Sequence, residues 1–378
     1  MFYYAKEVVE QLQQSESIVI YGARIVAKEV ATTLMAEPYN FKIDCFMVSD
    51  LEGNPREING IPVICLKDGK ETYKNATVLI AVLEKYLDDI MFSLEENGFE
   101  NVIPLGFESD LWSGLRGNSF KYMYEKVEKK YYILEEELQI EVAKDCVGAK
   151  GDVHIYMAKC HVDKPISKDL SEYDWEIPIQ VGAALTDQVI SEIRDNTGVH
   201  ISNKNKQYCE LTALYWIWKN DSSDYKGLCH YRRHFDVDKK MLPLLLQSDI
   251  DVVLTIPIFN YPSVGEMYFH DHSKEDWNTL MEAIEILQPD YVKTAERVQN
   301  GIFYYAYNML IAKEDVFNSY CEWLFPILDY CNKKCGIKEN PYQNRYVGFM
   351  GERLLSIYFL HNEGRYKIAH ATKTFLWK

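Results

Sequence analysis

The sequence predicts an α/β protein in two parts, a small parallel-sheet domain followed by a larger α/β domain. Three observations carry this. Short apolar runs alternate with amphipathic helical segments from Ser17 to Leu105, a charged helix-favouring stretch follows from Leu111 to Ala149, and strand-like apolar runs resume at Asp152. Alternation at this spacing calls for right-handed crossovers and a parallel sheet. A length of 378 residues suits two domains better than one. The expected divisions are 1–107, a helical connector at 108–150, and 151–378.

In the first part, Met1–Gln14 reads as an amphipathic helix. Ser17–Arg24 reads as a buried strand that breaks at Gly22 before a helix over Ile25–Met35. Strands are expected at Lys42–Val48, Ala76–Val82 and Asn101–Leu105, with the Gly60–Ile64 segment following a polar loop and a helix over Tyr86–Asn97. Only Gly22 of the three-glycine dinucleotide fingerprint is present, which gives bound NAD weak support. The order of elements and the Gly60-Ile61-Pro62-Val63 segment resemble the small Rossmann-like domain at the front of some sugar-modifying enzymes. The connector reads as a solvated spacer packed on one side.

In the second part, strands are expected at Asp152–Ala158, Ile177–Ala184, Asp251–Pro257 and Tyr304–Ala312, and helices at Gln207–Trp218, Glu275–Leu287 and Glu314–Cys335. Ser202 or Asn203 is placed to cap the helix at Gln207. The amide-rich run Asp195–Asn205 either cradles a base and ribose or forms a capped turn. Asn260–Asn278, carrying His270, Asp271 and His272, reads as a mobile loop over a binding site rather than a metal site, since spacing supplies no fourth ligand. Arg345–Leu355 is expected to turn on two glycines, leaving Glu352 at a helix start where backbone N–H groups favour its charged form.

Composition excludes several classes. Lys plus Arg number 41 against 57 Asp plus Glu, a net charge of −16, which argues against a nucleic-acid partner held by bulk electrostatics. The start lacks a basic n-region and an apolar core, and no run of about 18 apolar residues occurs. A cytoplasmic chain without a membrane span is expected. Nine cysteines without CxxC pairs fit reduced thiols.

The densest chemistry lies at Tyr208–Phe235, where Gly227-Leu228-Cys229 delivers His230, Tyr231, Arg232, Arg233 and His234 to one strand end. Such cations repel one another unless an anion sits among them, and phosphate fits the arginine fork best. Pairing with carboxylates elsewhere is the alternative.

The segments ELTALYWIWKN, GLCHYRRHF, YNMLI with CEWLF downstream, and RYVGFMGERLL occur in that order. Together they resemble a bacterial family long catalogued as a domain of unknown function and assigned to glycosyltransferases of capsular and exopolysaccharide synthesis. The resemblance covers roughly residues 152–378. It implies a GT-A-like fold with a nucleotide-sugar donor at the strands' C-terminal ends. The donor diphosphate is then expected on His230, Arg232 and Arg233, and the nucleoside and sugar near Ala158, Gly182, Asp195, Asn196, Asn203, Asn205, Tyr231 and Asn308. His270, Asp271 and His272 form the lid. Where GT-A enzymes carry an Asp-x-Asp metal motif, this chain has Cys229–Arg233, so metal-independent diphosphate binding is expected. A Mg²⁺ or Mn²⁺ ion at Asp236 and Asp238 is the alternative; Asp249 and Asp251 come too early.

The function so implied is transfer of a hexose, a galactose form by the resemblance, from a UDP-sugar to a growing surface-polysaccharide oligosaccharide. An inverting course with Glu352 as general base is expected, against the alternative that Glu352 caps its helix and pairs with Arg353 or Arg345. The acceptor is an oligosaccharide or lipid-linked saccharide, with peripheral association at the inner face of the membrane. Two rivals stand beside this reading: a nucleotide-sugar oxidoreductase or epimerase using the front domain, and a non-catalytic sugar-nucleotide-binding module.

Overall fold

The computed structural model describes residues 3–142, 150–166 and 173–376, which form two compact units, Met1–Lys130 and Tyr131–Leu376. The first unit runs α1 (Tyr3–Gln14), β1 (Ile18–Tyr21), α2 (Ile25–Met35), β2 (Cys45–Val48), β3 (Glu57–Ile58) and β4 (Ile61–Cys65). It continues with α3 (Leu66–Gly69), β5 (Thr77–Ile80), α4 (Leu87–Glu96), β6 (Val102–Pro104) and α5 (Asp110–Lys126). Its sheet has the order β3-β4-β2-β1-β5-β6 and is parallel except for β3. β1, β2 and β5 are buried at every residue, as strands covered on both faces must be, so their apolar runs are unbroken. Gly22, at φ +123°, makes the turn after β1, and a Cβ there would lie 2.7 Å from the Ala81 carbonyl oxygen.

The connector expectation is corrected among the described residues. Helix α5 is capped by the Ser109 hydroxyl, which accepts from Trp112 N at 3.2 Å, and it is buried from Trp112 to Phe120 within the first unit. A solvated spacer would expose most of its length. Residues 143–149 of the expected connector lie outside the described residues.

The second unit opens with β7 (Tyr132–Ile133), α6 (Leu134–Val142), β8 (Val153–Lys159), β9 (Ile177–Gln180) and β10 (Ile193–Arg194). Next come α7 (Asn205–Tyr208), α8 (Leu211–Asn220), β11 (Tyr225–His230), β12 (Arg233–Phe235), α9 (Leu242–Leu245), β13 (Val252–Thr255) and β14 (Ile258–Phe259). It ends with α10 (Val264–Asp271), α11 (Lys274–Leu287), α12 (Val292–Asn300), β15 (Phe303–Tyr304), β16 (Leu310–Lys313), α13 (Glu314–Cys335), α14 (Tyr346–His361), β17 (Ile368–Ala371) and β18 (Lys373–Phe375). The main sheet order is β10-β9-β8-β11-β16-β13-β17-β7, with β12 bridging β11 and β18. Strand β16 runs antiparallel to β11 and β13, and the remaining pairs along this order are parallel. α8 and α13 pack on β11, α13 also on β16, and α14 packs against α13. Among the described residues no helix is long and apolar enough to cross a membrane, and every described cysteine is a free thiol.

The pairing of β7 with β17 has a testable consequence. A chain beginning at Tyr131 keeps the whole second unit, whereas one beginning at Gly151 loses β7 and the Leu134 and Leu138 side chains buried in its core. The shorter chain should melt several degrees lower by calorimetry. Equal melting temperatures would mean that this edge contributes nothing.

Candidate active site

The C-terminal ends of β8 and β11 lie side by side, Ala158 opposite His230. Successive strand residues face opposite sides of a sheet, so Lys226, Leu228 and His230 share one face and Tyr225, Gly227 and Cys229 the other. The basic run then folds back on itself. β12 pairs antiparallel with β11 at His230 and Arg233, which therefore stand on one face. His234 falls on the opposite face, fully buried, with Nδ1 2.7 Å from Glu176 Oε2 and Nε2 3.2 Å from the Tyr231 carbonyl. The expected single cluster of five is thus split by strand alternation.

The partner of His230 is a turn that sequence reading missed. Tyr304–Ala312, expected as one strand, is interrupted between β15 and β16 by Tyr307 and Asn308, both left-handed at φ +73° and +52°. Non-glycine residues hold that conformation at a cost, and such strain collects at functional sites. His230 Nε2 lies 2.6 Å from the Tyr307 carbonyl, so that nitrogen carries the proton and donates. Arg233 stacks over the Tyr307 ring at 4.4 Å. Burial lowers the His230 pKa, with Arg233 and Arg345 adding to this against the pull of Glu210. A neutral imidazole with its N–H engaged leaves the cationic role to the arginines.

Glu352 meets the same turn, in a setting different from the expected one. Its two glycine neighbours lie inside α14, so Glu352 sits in the second turn of that helix and not at its start. Its Oε1 accepts from Tyr307 N at 3.0 Å and its Oε2 from Arg353 Nη1 at 2.7 Å, with 18% of the side chain exposed. Burial raises its pKa, as does the charge of Glu210, while Arg353, the Tyr307 N–H and Arg233 oppose the rise. The carboxyl is therefore more basic than a helix start would make it. Arg353 also donates to the Phe349 carbonyl and stacks over Tyr304 at 4.3 Å. Arg345 points instead to Cys209, its Nε 3.2 Å from Sγ.

The glycine at 351 follows from close approach. Asn308 Nδ2 donates to the Gly348 carbonyl at 3.2 Å, and a Cβ on Gly351 would lie 2.9 Å from Asn308 Oδ1 and 2.8 Å from Leu211 Cδ1. Helix α14 can press against this turn only where it has no side chains.

Arg232 faces the loop after β8. Its charge and that of Arg345 act on Asp163, whose pKa burial raises against their pull, and its Nε is buried without an acceptor. Tyr231 lies under the Arg232 guanidinium at 5.2 Å. The amide-rich run closes on itself. Asp195, fully buried, accepts from Gly182 N at 2.9 Å, Ala183 N at 3.0 Å and Ser202 Oγ at 2.5 Å. Asn205 Nδ2 donates to the Cys209 carbonyl at 2.8 Å and Thr212 Oγ1 at 3.1 Å. Neither Ser202 nor Asn203 caps a helix, and the helix expected at Gln207–Trp218 is broken into α7 and α8 at Cys209, φ +50°. Asn203 is exposed, and the Asn196 side-chain oxygen is buried without a partner.

The lid expectation is also corrected in form. Residues 264–271 are helix α10, capped by Ser263 Oγ accepting from Glu266 N at 3.1 Å. His270 and Asp271 pair at 2.7 Å on its exposed side, and His272 stacks on Phe349 at 4.0 Å, where burial brings its pKa down to about 4. The alternative metal ligands are already engaged. Asp236 Oδ2 accepts from Thr372 Oγ1 at 2.9 Å and Asp238 Oδ1 from Lys240 N at 2.8 Å. Asp251 is paired with Lys313 at 2.8 Å and Asp249 with Lys367 at 2.5 Å.

Sequence reading missed Glu210, held by Asn308 Nδ2 at 2.6 Å, and the Tyr307–Asn308 turn. Only the glycine pair in α14, spaced to admit a close neighbour, hinted at that turn.

No curated protein matches the chain at a significant level. Among solved structures it is similar to one described as the apo structure of WbbM, a bifunctional glycosyltransferase, with 28% identity and a TM-score of 0.52. The similarity covers 60% of this chain, and this chain spans 46% of that protein. The family described as a domain of unknown function, DUF4422, matches residues 155–363, and the chain belongs to that family.

Proposed function

We propose that the second unit is a glycosyltransferase that moves a hexose from a UDP-sugar to a growing surface-polysaccharide oligosaccharide with inversion. The observation that carries this reading is a largely buried Glu352, made more basic by burial, that feels the charge of Arg233, which follows β11 where its C-terminal end adjoins β8. Similarity to a bifunctional glycosyltransferase supports the reaction class. Arg232 and Arg233 would bind the donor diphosphate and stabilise the charge that grows on it as its bond to the sugar breaks. Glu352 would take the proton of the acceptor hydroxyl as that oxygen attacks the anomeric carbon from the opposite side. The Tyr307 N–H and Arg353 orient its two oxygens.

The first unit, in this reading, docks or orients the acceptor without chemistry of its own. The acceptor is a saccharide chain, free or lipid-linked, and the protein works at the cytoplasmic face of the membrane.

Replacing a guanidinium by an ammonium keeps the charge and loses the planar fork. Arg232→Lys and Arg233→Lys should each weaken UDP binding about tenfold by calorimetric titration. Wild-type affinity in both variants would remove the diphosphate assignment. With cations supplied by arginine, turnover should persist in excess EDTA. A loss restored by Mn²⁺ would hand that role to a metal ion. Thermal-shift screening against nucleotide sugars tests the whole reading, because preferential binding to the folded state raises its apparent stability.

A further inference from the structure

A second carboxylate stands at the site with no role yet assigned. Glu210 lies between the left-handed Cys209 and the first turn of α8. Asn308 Nδ2 donates to its Oε1 at 2.6 Å. The N–H of the preceding residue, Tyr307, donates to Glu352 Oε1 at 3.0 Å, and the Tyr307 carbonyl receives His230 Nε2 at 2.6 Å. Two adjacent residues of one strained turn therefore hold two carboxyl groups and an imidazole. We propose that Glu210 is a positioning residue, the second member of a carboxylate pair with Glu352 that the Tyr307–Asn308 turn holds together beside His230.

A negative charge near a carboxyl group raises the cost of ionising it. The groups around Glu352 define how the pair behaves. Arg353 and Tyr342 come from its own segment, Arg233 from the β11–β12 hairpin, and Cys209 with Glu210 from the bend between α7 and α8. Among these, Glu210 is a negative charge fixed by an amide that also ties the turn to α14 through the Gly348 carbonyl. Burial is the largest cause of the raised Glu352 pKa, and the Glu210 charge adds to it, acting in the same direction on His230. Glu210 thereby adds to the basicity of Glu352, and through Asn308 it braces the turn that aims Glu352. The consequence for turnover rests on the sugar-transfer reading above; the pair itself does not.

The test is a carboxyl ¹³C NMR titration of the full chain labelled at glutamate Cδ, with the Glu352 signal assigned by its disappearance in Glu352→Gln. In Glu210→Gln the Glu352 titration should move to lower pH, because the charge that raised it is gone. Kinetically, the same variant should move the acid limb of the pH–rate profile down and lower kcat about tenfold, with the donor KM within about twofold. A purely structural role would leave the Glu352 titration where it was. An unmoved Glu352 titration in Glu210→Gln would overturn the pair. If Glu210→Gln does not fold, Glu210→Asp, which draws the charge back by one methylene, should move the Glu352 titration in the same direction, and an unmoved one overturns the pair. A moved Glu352 titration in a chain that neither binds nor uses nucleotide sugars would sink the proposed function and leave the pair standing, and turnover with an unmoved titration would do the reverse.

Discussion

Glu352→Gln should lower turnover by about 10²-fold or more while donor binding survives, since the amide keeps size and one acceptor and removes basicity. Steady-state kinetics with a calorimetric donor titration checks both halves. Burial and the charge of Glu210 raise the Glu352 pKa, so the acid limb of the wild-type pH–rate profile should lie above that of an exposed glutamate, and the variant should lack that limb. A carboxyl whose pKa is raised by folding contributes stability that is present below its unfolded pKa and lost as pH rises through the folded one. Ionising the largely buried Glu352 is therefore a net cost to the fold. The neutral variant should melt no lower than wild type, which separates lost chemistry from lost structure. A variant that transfers sugar at the wild-type rate would remove Glu352 from the mechanism.

Asp195→Ala should destabilise the second unit by about 3–5 kcal/mol in urea unfolding, among the largest single-residue effects expected for this chain. The fully buried carboxylate accepts from two backbone N–H groups and one hydroxyl, at Gly182, Ala183 and Ser202. Truncation leaves all three donors without partners in a place water does not reach. Asp195→Asn keeps one acceptor oxygen and should recover part of the loss. A cost under about 1 kcal/mol for the alanine variant would show that the loop rearranges freely and that Asp195 does not organise it. Any loss of nucleotide binding in this variant would then follow from a loosened loop.

The fold was legible where a residue's neighbours in sequence are also its neighbours in space. The Ile18–Tyr21 strand, the Gly22 turn and the α2 helix follow from a local apolar run, a glycine and a local periodicity. Helix α13 spans Glu314–Cys335 as its periodicity predicts, with Glu314 and Asp315 in its first turn and Lys333 and Lys334 in its last, each sign favoured by the helix dipole. Errors arose where a distant segment set the outcome. Tyr304–Ala312 has the composition of one strand, yet it bends at Tyr307, where the carbonyl accepts from His230 and the N–H donates to Glu352. Helix α5 looks solvated by composition, but its middle is buried in the first unit.

The sequence by itself determined the α/β class and the positions of most strands and helices, and it picked out the basic run after β11. Arg232 and Arg233 were named from residue type and their place at a strand end, Glu352 from an expected helix start, and Asn308 from the family resemblance. Only the tertiary structure decided what those side chains touch. Strand alternation and a hairpin sent His234 away from His230, burial lowered the His230 pKa, and the one Tyr307–Asn308 turn bonds both Glu210 and Glu352, which stand 142 positions apart in sequence. The physical reason is that hydropathy and turn chemistry act between near neighbours along the chain. Desolvation, charge coupling and the choice of hydrogen-bond partner act between residues that only the completed fold brings together.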